Sequence, residues 1–319
     1  MHKIAVGVLG ASGYAGRELC GLVSRHPGME LAFAAANGQR GQRARFGGYE
    51  ITFLAPDDVR LDDAEMVFSA LPHGASAEWV DAARKTGARV IDLSSDFRPG
   101  NTETAAPYGL TEIMRDTIAG AELVANPGCY PTAVLIGLAP LLARGLVRAG
   151  ATINVNAASG VTGAGFAPKQ ELMFAEVAED FRAYAPGNVH RHLAEMNALV
   201  RQLGGDNDIL FTPHLLPVAR GILATITVPV AAELAHPTAL FRGFYAGEPF
   251  VEVADAPPSL RDVVHRNVVR LSVHSAANVR QPTLVIIAAI DNLLKGAAGQ
   301  AVQNANLLLG LDERIGLPA

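Results

Sequence analysis

The sequence predicts an α/β chain of two domains, a parallel sheet covered by helices followed by an α+β domain. Three observations carry this expectation. Over the first 125 residues short apolar strands alternate with helices, as a parallel sheet buried on both faces requires. After about residue 150, strand-like runs follow one another with few helices between the later ones, the pattern of a mixed or antiparallel sheet. The length, 319 residues, suits about two domains of roughly 100–200 residues each.

Taken in order, the β-rich run Ile4–Leu9 is a strand, Tyr14–Ser24 a helix and Met29–Ala36 a second strand. The helix places Ala15, Leu19, Leu22 and Val23 on one face, with Cys20 beside that stripe as a small buried hydrophobe. Strands follow at Ala64–Ala70, Arg89–Leu93 and Glu122–Ala125, with a helix over Ala75–Thr86 and a long helix from Ala133 onward. In the second half the strand-like runs are Ala151–Ala158, Ile209–Leu216, Ile222–Val230, Val268–Ser275 and Thr283–Ile290. A final helical run covers Leu294–Leu309.

Composition excludes several classes. Half of the residues are hydrophobic and 18% charged, with mean hydropathy +0.22, so the chain has the apolar surface to offset the entropy of ordering it. A formal charge of −5 argues against a nucleic-acid binder, which carries a basic face. Two cysteines, Cys20 and Cys129, make no disulfide framework, so a reducing, cytoplasmic setting is expected. The apolar run 284–290 is too short to span a bilayer, and 133–147 is interrupted by Pro140 and Arg144. No targeting segment is expected either.

Chemistry enters with Gly10-Ala-Ser-Gly13-Tyr-Ala-Gly16, between the first strand and the first helix. Glycine there permits a tight turn, close approach of a pyrophosphate to the backbone, and helix-on-strand packing. The helix N-terminus then offers its N–H groups to the anion. Gly10, Ser12, Gly13, Tyr14, Ala15 and Gly16 are therefore expected to hold a dinucleotide. An NAD site usually adds an acidic residue at the end of the second strand, where this chain has Ala34-Ala-Ala36-Asn37, with Glu30 at the strand's other end. Arg40, Arg43 and Arg45 follow in what reads as a polar loop, which favours NADPH, with Asn37 and Arg40 at its adenosine end. Ser69 and Pro72 end another strand on the same sheet edge, and His73 beside them reads as structural.

Asn126-Pro-Gly-Cys129-Tyr-Pro-Thr132 lies between a strand and a helix. A free thiol is mostly protonated at neutral pH, and a helix N-terminus or a nearby histidine activates it. His190-Arg191-His192 and His214 are the histidines on offer. A metal site from His190, His192, His214 and Cys129 matches no zinc spacing, so no metal is expected. Arg98, in Ser94-Ser-Asp-Phe-Arg98, is a planar cation for a phosphate or carboxylate. Ser159-Gly-Val-Thr-Gly-Ala-Gly165 is a second glycine loop, which frames the active site.

These segments, with Asp291-Asn-Leu-Leu-Lys-Gly-Ala-Ala-Gly-Gln300, resemble the N-acetyl-γ-glutamyl-phosphate reductase family of arginine biosynthesis. That family stands within the aspartate-semialdehyde dehydrogenase superfamily, and the chain is similar to its shorter form. The resemblance runs nearly end to end. It implies a Rossmann NADP-binding domain, residues 1–128 plus 292–319, and an α+β catalytic and oligomerisation domain, residues 129–291. It further implies NADPH as reductant, a small acyl phosphate as substrate, and a homodimer or homotetramer. By the same resemblance Cys129 is the nucleophile and His192 the acid/base group, with His190 a second candidate. Gly163 and Asn292 join the cofactor contacts, and Arg98, Asn126, Ser159, Lys169 and Arg191 are expected at the substrate. Two rivals stand beside this reading. One is a reductase of aspartyl phosphate or of an aminoadipyl phosphate derivative; the other is a non-catalytic dinucleotide sensor with Cys129 as a redox switch or plain core.

Overall fold

The computed structural model describes residues 3–46 and 48–319, which divide into two compact units: the described residues up to 128 with 297–318, and 129–296 with 319. The first begins with β1 (Ile4–Leu9), α1 (Tyr14–Arg25) and β2 (Met29–Ala35). A hairpin, β3 (Arg43–Phe46) and β4 (Tyr49–Thr52), follows where the sequence suggests a polar loop. Then come β5 (Met66–Ser69), α2 (Ala77–Lys85), β6 (Arg89–Asp92), α3 (Thr111–Ile118) and β7 (Leu123–Ala125). The five long-range strands form one parallel sheet in the order β2-β1-β5-β6-β7. Leu9, Phe33, Ala35, Val67 and Val90 pack with Val80 and Ala83 of α2 in one buried layer. Their neighbours Val6, Val8, Phe68 and Ile91 point to the opposite face by strand alternation and are buried too. Both faces of this sheet are therefore covered, which is why its strands read as continuous apolar runs.

The second unit opens with α4 (Cys129–Leu142). This helix starts four residues before the expected Ala133, because Pro131 falls in the first helical turn, where its missing N–H has no intrahelical partner to lose. Next are β8 (Ile153–Gly160), the short α5 (Phe174–Val177), β9 (Arg182–Ala183) and α6 (His192–Gln202). β10 (Ile209–Leu216), β11 (Ile222–Pro229), α7 (Pro237–Phe244), β12 (Val251–Val253), β13 (Val269–Ser275) and β14 (Thr283–Ile290) complete it. Its seven strands lie in the order β12-β13-β14-β11-β8-β10-β9. The sheet is mixed: β8 with β10 and β12 with β13 are parallel, the remaining pairs antiparallel. α4 packs on β11, β14 and β13 with α6 and α7 beside it, and every residue from Tyr130 to Leu142 is buried. One sheet face supplies Val155, Ala157, Ala224, Ile226 and Ile286 to the core. The alternate residues Leu223, Thr225, Val285 and Ile287 stay half-exposed on the other.

After β14 the chain makes a π-helical turn, Leu294–Ala298, and returns to the first unit as α8 (Gly299–Leu308). Its Gln300, Gln303, Asn304 and Asn306 are fully buried. Burying four amides is tolerable because most of their polar atoms find partners, Gln300 Oε1 being buried without one. Gln300 Nε2 donates to the Gly109 carbonyl and to Thr111 Oγ1, both at 2.9 Å. Asn304 donates through Nδ2 to the same carbonyl at 2.8 Å and accepts through Oδ1 from Thr111 Oγ1 at 2.8 Å. Gln303 reaches Glu112 and Glu313, and Asn306 meets His26 and the backbone of Glu313 and Ile315. No helix of the described residues is long and apolar enough to cross a membrane.

Candidate active site

At the carboxyl end of β1 the three glycines have three different jobs. Gly10 holds φ +74°, and a Cβ there would lie 2.4 Å from the Ala70 carbonyl oxygen. A Cβ on Gly16 would lie 2.3 Å from the Gly10 carbonyl, so its absence is what lets α1 close on β1. Around Gly13 the nearest atom to an added Cβ is 3.5 Å away. Gly13 is also the N-cap of α1, with no side-chain cap and no acidic residue in the first turn. A helix start with no side-chain cap, beside an open α-carbon, fits a diphosphate. Ser12, Tyr14 and Ala15 fill the positions between these glycines.

The loop after β2 exposes Asn37 and Arg40. Arg43 and Arg45, expected in that loop, belong to β3 instead. Arg43 pairs with Glu50 across the hairpin at 3.0 Å, and Arg45 lies opposite Glu50 in register. Sequence reasoning missed Arg17: its Nε donates to the Ser12 carbonyl at 2.8 Å and its Nη2 to Gln39 Oε1 at 2.9 Å. It therefore ties the glycine turn to the post-β2 loop. Its signal was position alone, directly after Gly16 in the first turn of α1.

At the ends of β5 and β6 a chain of hydroxyls surrounds a buried carboxyl. Ser69 Oγ meets Ser76 Oγ at 2.6 Å, and Ser94 Oγ donates to Asp92 Oδ2 at 2.6 Å, with Ser76 on the other oxygen. Burial pushes the Asp92 carboxyl above its ordinary range, against the lowering effect of these hydroxyls. Asp96 accepts the N–H groups of Gly74 and Ser76, and His73 Nδ1 accepts that of Ser95. Exposed Pro72 lies on the loop so fixed.

Two residues expected at the substrate have other work. Arg98 is 3% exposed, and its Nε and Nη2 donate to the carbonyls of Asn126 and Leu93 at 2.8 and 2.7 Å. A guanidinium so enclosed braces these two backbone carbonyls. Asn126 is fully buried: Nδ2 donates to the Ala297 carbonyl at 3.1 Å and Oδ1 accepts from Asn304 at 3.1 Å. Asn292, expected at the cofactor, is likewise a tie, with Oδ1 accepting the Gly221 N–H at 2.7 Å and Nδ2 donating to Thr162 Oγ1 at 2.9 Å. It fastens the 159–165 loop, where Gly163 lies against Ser159 closely enough that a Cβ would come 2.8 Å from its hydroxyl.

In the second unit Cys129 is the first residue of α4 and is partly accessible. The first turn of α4 has no acidic residue, so the positive end of the helix dipole favours a thiolate there. Cys20 is the contrast: burial pushes its thiol up to about 12, which leaves it inert. Next to Cys129, the ring of Tyr130 lies 5.6 Å from His190 and 6.0 Å from His192. Tyr184 donates its hydroxyl to that of Tyr130 at 3.0 Å, and Tyr130 donates to the His214 carbonyl at 3.3 Å. Burial pushes the Tyr130 phenol far above its ordinary value and Tyr184 up to about 12.

The two histidines of the His-Arg-His segment differ. His190 packs among Tyr130, Tyr184, Phe211 and His192. Burial, with the charge of Arg191, lowers it to about 4. Its Nδ1 accepts the backbone N–H of His192 at 3.2 Å. His192 opens α6 and is 5% exposed. Arg191 and Lys169 are both exposed. Among the described residues no group of acidic, histidine or cysteine side chains forms a metal site.

A dinucleotide turn on a parallel sheet and a thiol at a buried helix start are the parts of a cysteine-dependent reductase. The chain belongs to the semialdehyde dehydrogenase family, whose NAD-binding domain matches residues 5–121 and whose dimerisation domain matches residues 129–292. Within that family it groups with the N-acetyl-γ-glutamyl-phosphate reductases. It is 43% identical to the one from Halorhodospira halophila and 41% identical to one from Pseudomonas aeruginosa, each over 98% of both chains. In fold it is similar to aspartate semialdehyde dehydrogenase II from Vibrio cholerae, with TM-score 0.80 at 20% identity over 97% of this chain and 99% of that one. The Candida albicans aspartate semialdehyde dehydrogenase solved with NADP gives 0.71 at 14% identity, over 96% and 98%.

Proposed function

We propose that this protein reduces N-acetyl-γ-glutamyl phosphate to the semialdehyde with NADPH, releasing phosphate, through a thioester on Cys129. The observation that carries the reading is a partly accessible thiol at the start of a buried helix, whose next residue, Tyr130, packs its ring against His190 and His192. The substrate is that of the relatives at 41–43% identity.

The Cys129 thiolate attacks the acyl carbon, the bond to phosphate breaks, and inorganic phosphate leaves. N–H groups at the start of α4 face the oxygen on which charge develops. Bound NADPH supplies the hydride that reduces the thioester carbonyl. His192 protonates the resulting oxyanion and takes the proton back as the C–S bond breaks, giving the aldehyde and restoring the thiolate. His190, held at about 4, stays neutral at pH 7 and fixes the His192 backbone. Arg191 and Lys169 are the accessible cations assigned to the dianionic phosphate, with Ser159 and Gly163 framing the acyl end.

Cofactor binding falls to the first unit, through residues 10–16, Asn37, Arg40 and the Ser69–Pro72 edge. The absence of an acidic residue at the end of β2, with exposed Arg40 just beyond it, supports NADPH. The half-exposed sheet face carrying Leu223, Val285 and Ile287, inside the region that matches a dimerisation domain, supports a homodimer formed through that face. The test is turnover with NADPH on N-acetyl-γ-glutamyl phosphate, aspartyl phosphate and an N-acetylaminoadipyl phosphate. The first should give the highest kcat/KM; an equal or higher value for another overturns the substrate assignment. Binding of NADPH without consumption on any of them overturns the enzymatic reading.

A further inference from the structure

The segment after β14 is wound around one carboxylate. Asp291 is fully buried; its Oδ1 accepts the N–H groups of Leu293 and Leu294 at 2.8 and 3.1 Å. Its Oδ2 accepts the His265 N–H at 2.8 Å and pairs with Arg220 Nη1 at 3.2 Å. The Asp291 carbonyl takes the N–H of Gly296 at 2.9 Å, five residues on, which is the wide turn of a π-helix rather than an α-turn. All of these groups lie in the unit that contains Cys129. The winding fixes where Gly296 sits, and Gly296 lies against the thiol residue: a Cβ there would be 2.8 Å from Cys129 Cβ and 3.2 Å from its Cα. It would also meet Ile290 Cδ1 at 3.2 Å. The tight contact is with the root of the cysteine side chain, not with the far end of a flexible one. No rotamer change relieves it; the turn or Cys129 must move.

We infer that Gly296 is a positioning residue for the nucleophile: its bare α-carbon, held by the Asp291-anchored π-turn, sets the place of Cys129 Cβ and hence of the thiol. The inference rests on Cys129 being the nucleophile. A wide turn brings a backbone α-carbon against the start of α4 from outside that helix, which a regular α-turn carrying a side chain would not do. Reactions of this kind are sensitive to such placement, since a displacement of about 1 Å in a reacting group costs on the order of 10²-fold in rate.

The test compares Gly296→Ala with Gly243→Ala, which has no heavy atom within 4 Å of the new Cβ. Gly296→Ala should lower kcat by about 10²-fold with an unchanged Kd for NADPH by titration. The rate of Cys129 alkylation by iodoacetamide, followed by mass spectrometry across pH, should also shift in midpoint or plateau. Gly243→Ala should match the parent in both. Adding Ile290→Val to Gly296→Ala removes the Cδ1 contact and gives the turn room to yield, so it should restore part of the turnover; a general loss of folding would instead deepen. Gly296→Ala turning over within threefold of the parent, with parental alkylation kinetics, overturns the inference. A parallel Cys129→Ala variant separates the two levels. If it is inactive while Gly296→Ala is parental, only the positioning role fails. If it is active, the nucleophile assignment fails.

Discussion

His190 and His192 are two residues apart, and the surroundings of His190 give its titration consequences for stability as well as for rate. His190 is held at about 4, by burial first and by Arg191 second, against about 6.5 in an unfolded chain. The folded protein therefore binds this proton less readily than the unfolded one. The stabilisation is fully present above about pH 6.5 and is lost as pH falls toward 4. Between pH 7.5 and 5 the shift corresponds to at most about 2 kcal/mol, and solvent screening of a ring that is not wholly buried brings this to about 1 kcal/mol. His26, lowered by burial against the opposing hydrogen bonds to Asn306 and Ile315, adds a loss of the same sign. In urea denaturation at pH 7.5 and 5, the parent should lose about 1 kcal/mol more than His190→Gln, whose amide still accepts the His192 N–H. Equal losses would mean that His190 titrates near its ordinary value. The rate consequence is separate. At pH 7 a group titrating at about 4 is protonated in roughly one molecule in a thousand, so it is a poor proton donor. His192→Asn should therefore lose about 10²–10⁴-fold in kcat, and His190→Gln much less. The reverse order would refute the assignment of the acid/base role.

Cys129→Ala should lower turnover on the order of 10⁴-fold or more with NADPH binding retained, while Cys20→Ala leaves steady-state rates within twofold; activity within tenfold of the parent in Cys129→Ala would remove the nucleophile. Asn304→Ala deprives buried Asn126 of its donor and Thr111 of its acceptor, at about 1–3 kcal/mol each. Differential scanning calorimetry should show a fall in Tm of about 4–20 °C, and a shift below 2 °C would contradict the buried amide ladder. NADPH should exceed NADH in kcat/KM, and Arg40→Ala should erode that preference about 10–150-fold, mostly through KM; equal use of NADH by the parent would contradict the reading. Arg98→Met should show its main effect in thermal stability, since it removes donors from two backbone carbonyls. A raised KM for phosphate in the reverse reaction with an unchanged Tm would return Arg98 to the substrate.

How much was legible follows from how local each signal is. β1, α1 and β2 are plain in the sequence because a buried parallel strand is a short apolar run and α1 carries a one-sided apolar stripe. β10 and β14 are equally plain at Ile209–Leu216 and Thr283–Ile290. The β3–β4 hairpin is not, because Arg43, Arg45, Gly48 and Glu50 give it a loop's composition, although its backbone pairs as an antiparallel ladder. α8 reads as an ordinary final helix. Nothing local shows that Gln300 and Asn304 are buried, since their partners at Gly109 and Thr111 lie some 190 residues away. His192 and Cys129 stand out by residue type and by their place at helix starts, whereas Gly296 shows its role only through a distance.

The expected site residues that the structure ties to nearby backbone share one physical feature. Arg98, Asn126 and Asn292 are polar residues within glycine-rich or loop motifs, and polarity in a loop invites the expectation of a ligand. Each satisfies a backbone carbonyl or N–H in a segment outside the strands. Loops at sheet edges are short of intramolecular backbone partners, and a buried orphan costs about 1–3 kcal/mol. Arg98 holds the carbonyls of Leu93 and Asn126, Asn126 that of Ala297, and Asn292 the N–H of Gly221. Asp291 does the same with four donors. A thiol, a proton-transferring ring and an open glycine turn are useful only when held to a fraction of an ångström. These polar ties are the means by which loops, rather than rigid strands, achieve that. Substitutions at these ties should therefore lower kcat and thermal stability together, whereas substitutions at Cys129 and His192 should lower kcat alone.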